Sequence, residues 1–194
     1  MFEYIKGSIA DLTPTYAVVD CAGVGYYVNI SLQTFSSLEG KKEVLVYLHQ
    51  VVRDDAHLLF GFASKDEREL FRLLISVSGV GANTARVILS SMSAVEIQKV
   101  IMQADINALK QIKGIGLKTA QRIVVDLKDK VSGKELGSAQ LFTSINNTAR
   151  QEALSALVML GFNKSAVEKV LDRLLKLENT QSVEGLIKLA LKQL

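Results

Sequence analysis

With 194 residues, 48% of them hydrophobic and 22% charged, the chain has the composition of a globular protein and lies far from the disordered class. One cysteine, Cys21, excludes an internal disulfide framework, and with only His49 and His57 beside it neither a zinc site nor another metal cluster is expected. The net charge of +3 hides an asymmetry: residues 1–63 carry 4 Lys/Arg against 7 Asp/Glu, residues 64–133 carry 11 against 7, and residues 134–194 carry 8 against 6. The positive excess sits in the middle of the chain and points, weakly by itself, to an acidic partner. The opening stretch from Met1 to Lys6 lacks the basic start and apolar run of a secretory signal, and no apolar run reaches the roughly 18 residues of a membrane span. A cytoplasmic protein without membrane association is expected.

In chain order, residues 1–63 read as β structure. Alternating segments run from Tyr4 to Leu12, Tyr16 to Cys21, Tyr26 to Ile30, Val44 to Val52 and His57 to Phe62. Pro14 and the pair Gly23 and Gly25 mark turns between them. The stretch from Leu32 to Leu38 is at best a short helix. Five short strands with one helix inserted before the fourth predict a small closed barrel of the OB type, a fold that does not by itself establish a ligand. Cys21 is expected to be a buried strand residue. Of the neighbours Tyr26 and Tyr27, alternation sends one into the core, and the other could stack on a base.

From Ser64 the period changes to that of helices. Ser64 with Glu67, and Ser93 with Glu96, have the spacing of capping boxes. The pattern predicts helices over 65–78, 82–91, 94–103, 105–112 and 117–130. Within them one unit occurs twice, 35 residues apart from Gly79 to Gly114. Leu74, Val77, Gly79, Val80, Gly81, Thr84 and Ala85 are answered by Leu109, Ile112, Gly114, Ile115, Gly116, Thr119 and Ala120. Two copies are too few for a solenoid.

Each copy sets a Gly-x-Gly turn between two helices. The plain reading of one such turn is a helix stop followed by a tight connection. Two copies in register, each followed by Thr and Ala, point further. Small residues at a helix start let another backbone approach N–H groups that have no partner of their own. Lys118 and Arg122, one turn apart on the second copy, are placed to flank an incoming phosphate. This is the helix-hairpin-helix pattern of a sequence-independent DNA backbone clamp. The run from Gly116 to Thr119 superficially resembles a nucleotide phosphate loop, but the order is broken and a helix precedes it, so no nucleotide cofactor is expected.

Residues 132–147 lose periodicity and read as a flexible linker. Three helices follow: 148–160, ending at Gly161; a second, capped by Ser165 with Glu168, to about Leu177; and a third from Ser182 onward. So small a unit has little core to spare, and leftover apolar surface would be a docking face, with the leucines of 165–194 as candidates. The expected division is thus 1–63, 64–131, 132–147 and 148–194.

Asp54 and Asp55 fall in the turn between the last two barrel strands. Acidic turn residues are ordinary, and without a third acid or a histidine cluster they are not read as a nuclease metal site. Two other functions remain open on residues alone. A repair glycosylase also carries a Lys-bearing hairpin like that from Gly114 to Thr119, but Asp126 and Asp129 lie on the motif's own helix rather than in a pocket. A protein scaffold would use both hairpins for packing only.

The whole chain resembles the RuvA family, DNA-binding subunits of the bacterial Holliday junction branch-migration complex. The resemblance rests on Ile5 to Gly7, Val52 to Ala56, Leu59 to Phe62, Glu67 to Phe71, both glycine hairpins, and Leu160 to Phe162. It implies an α+β multidomain protein: a five-stranded OB-fold barrel, a tandem helix-hairpin-helix domain and a mobile three-helix, UBA-like domain. It further implies a non-catalytic homotetramer that holds a four-way junction open and planar, as one tetramer or two. Its phosphate clamp would be Gly79, Val80, Gly81, Asn83, Thr84, Gly114, Ile115, Gly116, Lys118, Thr119 and Arg122. Asp54 and Asp55 would form an acidic pin at the crossover, so that repulsion of phosphate becomes their function. The third domain would recruit the hexameric ATPase RuvB, with the resolvase RuvC as a further member. Asn83 stands where the family commonly has lysine, so the first clamp is expected to lean on the backbone amides from Val80 to Thr84. The linker is short for the family, which limits the swing expected of the third domain.

Overall fold

A computed structural model describes residues 2–132, 145–177 and 182–194. The chain divides into two compact units, 1–137 and 138–194.

In the first unit, strands β1 (Tyr4–Leu12), β2 (Tyr16–Cys21), β3 (Val24–Ile30), β4 (Glu43–Val52) and β5 (His57–Phe62) close a barrel in the order β1-β2-β3-β5-β4. All neighbours are antiparallel except β3 and β5, which run parallel with Asn29 opposite Phe60 and Ile30 opposite Gly61. Helix α1 (Leu32–Leu38) makes the crossover this requires, capped by Ser31, whose side chain accepts from the Thr34 N–H. Inward-pointing Ile5, Ala17, Val19, Val28, Ile30, Val44, Val46 and Leu48 fill the barrel, as a period of two along each strand demands.

β5 is buried on both faces. A Cβ at Gly61 would sit 2.5 Å from Val28 Cγ1 and 2.6 Å from Val46 Cγ1 inside the barrel, so only glycine fits there. On the opposite face Phe60 and Phe62 meet Phe71 at ring-centroid distances of 5.2 and 4.9 Å. They belong to the core of the helices, not of the barrel.

Those helices are α2 (Lys65–Ile75), α3 (Ala82–Ser91), α4 (Ala94–Met102), α5 (Ile106–Lys110) and α6 (Leu117–Ser132). α5 is shorter than the spacing predicts, with Asp105 as its cap, and α6 runs past the predicted end to include Ser132. The capping box at Ser93 forms in full, and the bonds from the Ser93 hydroxyl and amide hold the Glu96 carboxyl below the usual carboxylate range. The box expected at Ser64 forms only by half. Ser64 accepts from the Glu67 N–H, but the Glu67 side chain turns inward, 6% exposed. There it accepts from Ser31 Oγ at 2.6 Å, Thr34 Oγ1 at 2.9 Å and the Ala63 N–H at 3.2 Å. A buried carboxylate must find donors, and the α1 cap offers them, which outweighs closing the box.

The second unit packs α7 (Ile145–Met159), α8 (Lys164–Leu177) and α9 (Val183–Ala190) around Ala153, Leu157, Val167, Leu171, Leu174 and Leu186. Three expectations change here. The linker expected over 132–147 falls mostly outside the described residues, and its two ends, Ser132 and 145–147, are helical. Asn146 and Asn147 have low propensity and read as loop, yet extending an existing helix costs little once it is nucleated. Asn163, not Ser165, caps α8, its Oδ1 accepting from the N–H groups of Ser165 and Ala166. The C-terminal leucines are largely spent on the core. Large apolar residues are exposed at Val158, Met159 and Leu160, the last two 88% and 62%, where α7 gives way to Gly161, and at the C-terminal leucines Leu191 and Leu194. No helix among the described residues is long and apolar enough to cross a membrane.

Candidate nucleic-acid interface

The two hairpins share one backbone. In the first, the Val80 N–H donates to Val77 O at 3.0 Å and the Ala85 N–H to Gly81 O at 2.9 Å; in the second, Ile115 donates to Ile112 O at 3.0 Å and Ala120 to Gly116 O at 2.9 Å. Gly79 and Gly114 have φ of +91° and +90°, a left-handed conformation that a side chain resists. They lie in the turns three residues beyond the C-caps Ser76 and Gln111, so α2 ends at Ile75, short of the 78 that the spacing predicts, and the glycines shape the turns rather than stop the helices.

The second glycine of each pair behaves differently. Gly81 caps α3 with φ −83°, and Gly116, which precedes α6, is not among the positive-φ glycines. A Cβ built at either would meet nothing within 4 Å. Neither backbone conformation nor packing within the chain therefore calls for glycine at these two helix starts. With no side chain there to cap the helices, the N–H groups of the first turn are left for an outside acceptor. The positive end of each helix dipole lies at its own bare start.

The expected clamp residues separate into distinct parts. Val80 and Ile115 are each 5% exposed; their side chains belong to the helical core and their N–H groups are spent on Val77 O and Ile112 O within the turns. Neither offers a free amide to a ligand, contrary to the expectation for the stretch beginning at Val80. Asn83 and Lys118 are exposed at equivalent places, and Thr84 and Thr119 are half-buried behind them. Ala85 and Ala120 are fully buried. Their recurrence is set by helix packing rather than by access for a ligand, which corrects the reading of the Thr-Ala pair as a marker of the clamp. Arg122 is exposed and its Nη1 donates to Ser78 Oγ at 3.3 Å, bringing a second-copy side chain onto the first copy's turn. Ser78 carries no sequence signal, because the repeat places Lys113 opposite it.

The first hairpin is fixed to the barrel. Arg86 of α3 donates through Nη1 to Thr15 O at 3.0 Å and to Asn29 Oδ1 at 3.1 Å. Ser90 Oγ accepts from the Leu32 N–H at 3.1 Å. Arg68 of α2 is 4% exposed and donates to Glu3 O and Glu3 Oε1, and this partner holds the Glu3 carboxyl below its ordinary range. His49 on β4 packs beside Phe71; burial first, then the charges of Arg72 and Arg68, push its imidazole below the ordinary histidine value.

Asp54 and Asp55 are the two tip residues of the β4–β5 hairpin. The Arg53 N–H donates to Ala56 O at 2.8 Å across the turn. Both side chains are exposed, and neither carboxylate makes a hydrogen bond or ion pair among the described residues. His57 opens β5 and is exposed. No group of three His, Cys, Asp or Glu that could hold a metal ion occurs among the described residues. On the barrel surface Tyr27 is the outward tyrosine, stacked on Tyr16 at 4.6 Å, whose hydroxyl donates to Asp11 and is held above its usual pKa by that bond. Cys21 is half-buried rather than buried, with Sγ 3.0 Å from Lys6 O.

Three family models cover most of the chain: RuvA N-terminal domain over residues 1–61, the SAM-like helix-hairpin-helix tandem over 71–129, and RuvA C-terminal domain over 148–194. A protein of Christiangramia forsetii is 50% identical over 194 residues, covering all of both chains. The chain belongs to the RuvA family. A Parabacteroides distasonis relative is 54% identical over 196 residues and one from Bacteroides thetaiotaomicron 50% over 201 residues, again covering all of both chains. All three are named Holliday junction branch migration complex subunit RuvA. A RuvA-type N-terminal domain agrees with the closed five-stranded barrel, and the tandem model spans both glycine hairpins.

Proposed function

We propose that the protein binds four-way junction DNA as the non-catalytic subunit of a branch migration complex, with ATP hydrolysis supplied by a RuvB-type hexameric motor. The observation that carries this reading is the pair Gly81 and Gly116, two equivalent helix starts kept bare without need from the fold itself. A DNA phosphate is the ligand that such a start accepts, through backbone N–H groups and the helix dipole. Lys118 and Arg122 add charge, and contacts of this kind fix position without reading base sequence. The division of labour follows the domains: 1–63 for the barrel and its acidic turn, 64–131 for the clamps, 148–194 for the motor.

Selectivity for a junction needs an element that discourages continuous duplex, and Asp54 with Asp55 supplies it. Their carboxylates stand on a tight turn with no partner among the described residues to neutralise them. In a four-fold homotetramer such turns gather at the crossover, where they repel phosphates and help part the strands. In the third domain, Met159 and Leu160 at the α7 end are the docking face we assign to the motor, since large apolar side chains exposed side by side mark a contact surface. RuvC is a further partner, and the site of action is the bacterial cytoplasm.

The test is a gel-shift comparison of a four-way junction with linear duplex of the same arm sequence at two salt concentrations. The junction should bind more tightly, and log affinity should fall steeply with log salt, by about 0.9 for each phosphate neutralised. Equal affinity for both substrates, or a flat salt response, overturns the proposal.

A further inference from the structure

The two hairpins agree in sequence and backbone but not in charge. From Val77 to Ser91 the first carries a single basic residue, Arg86, and its guanidinium is committed to the barrel at Thr15 and Asn29. From Lys110 to Arg122 the second carries Lys110, Lys113, Lys118 and Arg122, all exposed. Asn83 stands where the repeat places Lys118, and Val87 where it places Arg122. A phosphate seated at Gly81 would meet backbone amides but no cation from its own hairpin. Amide bonds to a phosphate are already charge-assisted, but a cation adds Coulomb attraction and further charged donors, so this clamp would be the weaker of the two.

Arg122 alters that balance. Its side chain is rooted one turn into α6, yet Nη1 ends 3.3 Å from the hydroxyl of Ser78. Ser78 directly precedes Gly79, so the guanidinium reaches the first hairpin's turn. A planar guanidinium presents five N–H donors in a fixed fork, and a bond from Nη1 to a hydroxyl leaves Nη2 and Nε for two oxygens of a phosphate. Lysine, a point charge on a flexible stem, would not hold both at once.

We propose, resting on the clamp reading above, that Arg122 is the cation of the first hairpin and Ser78 its positioning residue. Arg122 pairs with the phosphate seated at Gly81, while Lys118 serves the phosphate at Gly116. The chain thereby divides one basic helix between two clamps, and neither hairpin is complete without the other.

The experiment uses the full-length protein and synthetic four-way junctions carrying a single neutral methylphosphonate linkage at successive positions along one arm. Positions at which neutralisation weakens binding report the seated phosphates. G81A removes sensitivity at the first hairpin's phosphate and G116A at the second's, which labels each one. The expected result is that R122Q loses sensitivity at the position G81A loses, and K118Q at the position G116A loses. S78A should weaken that first position in the same way though less, and S78T should restore it, with far-ultraviolet circular dichroism unchanged throughout. R122Q should also lower the salt slope by about 0.9 per phosphate released. The proposal is overturned if R122Q follows G116A instead, or if S78A leaves the first position as it was. If no linkage is sensitive in the wild type, or neither glycine variant changes the pattern, the clamp reading itself fails and the role of Arg122 falls with it.

Discussion

Replacing Asp54 and Asp55 together by Asn isolates the acidic turn. Both side chains are exposed and unpartnered among the described residues, and the turn is closed by the backbone of Arg53 and Ala56. The fold should therefore hardly notice, with stability changed by less than about 0.5 kcal/mol, as for other surface substitutions away from such features. On DNA the change is larger. Two unit charges in water repel by about 1 kcal/mol at 4 Å, hence by about 0.5 kcal/mol at 8 Å, and salt at physiological strength, with a Debye length of about 8 Å, leaves roughly 0.2 kcal/mol per pair. In the four-fold homotetramer proposed above, two carboxylates from each protomer would then amount to about 1.5 kcal/mol, near a tenfold change in affinity. The double variant should bind the junction equally well or up to about tenfold more tightly at moderate salt. The gain should shrink as salt rises, and selectivity over linear duplex should fall. Fluorescence anisotropy with labelled junction and duplex at two salt concentrations measures all three, and motor-driven strand exchange should change in rate. A double variant that no longer bound junctions, or that discriminated as before, would refute the repulsion argument.

Further expectations follow from single contacts. Gly79→Ala must place a side chain at φ +91°, costing about 1–2 kcal/mol of stability, whereas Gly81→Ala should cost the fold little and junction binding much; paired thermal melts and gel shifts separate them. Glu67→Ala strands the hydroxyls of Ser31 and Thr34 and the Ala63 amide, and should destabilise the first unit by about 2–4 kcal/mol in urea unfolding. The His49 imidazole is held below its ordinary value by burial, so the folded state takes up its proton later than the unfolded state. Its contribution to stability is full above the unfolded value of about 6.5 and is lost as pH falls from there through the lower folded value; His49→Gln should flatten that part of a stability-versus-pH curve. Met159→Glu should weaken capture of the motor while leaving the melting of the third domain and junction binding unchanged.

The sequence was most legible where one pattern serves one purpose. Alternation in Ala17, Val19, Val28 and Ile30 marked the barrel interior, and the recurrence of glycine at 79, 81, 114 and 116 marked both hairpins. It was opaque where the same residue type has different reasons. Gly79 and Gly81 look alike in a string, yet one is demanded by a left-handed turn and the other by nothing inside the chain. Ala85 and Ala120 repeat with the clamp but answer to the core. Glu67 has the spacing of a capping box, and only the positions of Ser31 and Thr34, more than thirty residues earlier, draw it inward. Ser78 gave no sign at all, because its role depends on a side chain arriving from another helix. Ser165 with Glu168 has the spacing of a capping box, but Asn163, two residues earlier, is also a capping residue type and its Oδ1 takes the role.

β5 also bears on how the first unit comes apart. One six-residue strand supplies the barrel with Gly61 and the helices with Phe60 and Phe62, so neither core can open while the other stays shut. Barrel and hairpins should melt in one cooperative transition, with amide exchange across β5 requiring the global opening and not a local one. On the function proposed above, a crack anywhere along this strand would disable the hairpins and the acidic turn in the same event, which would leave no half-functional state in which DNA is held but the crossover is unguarded.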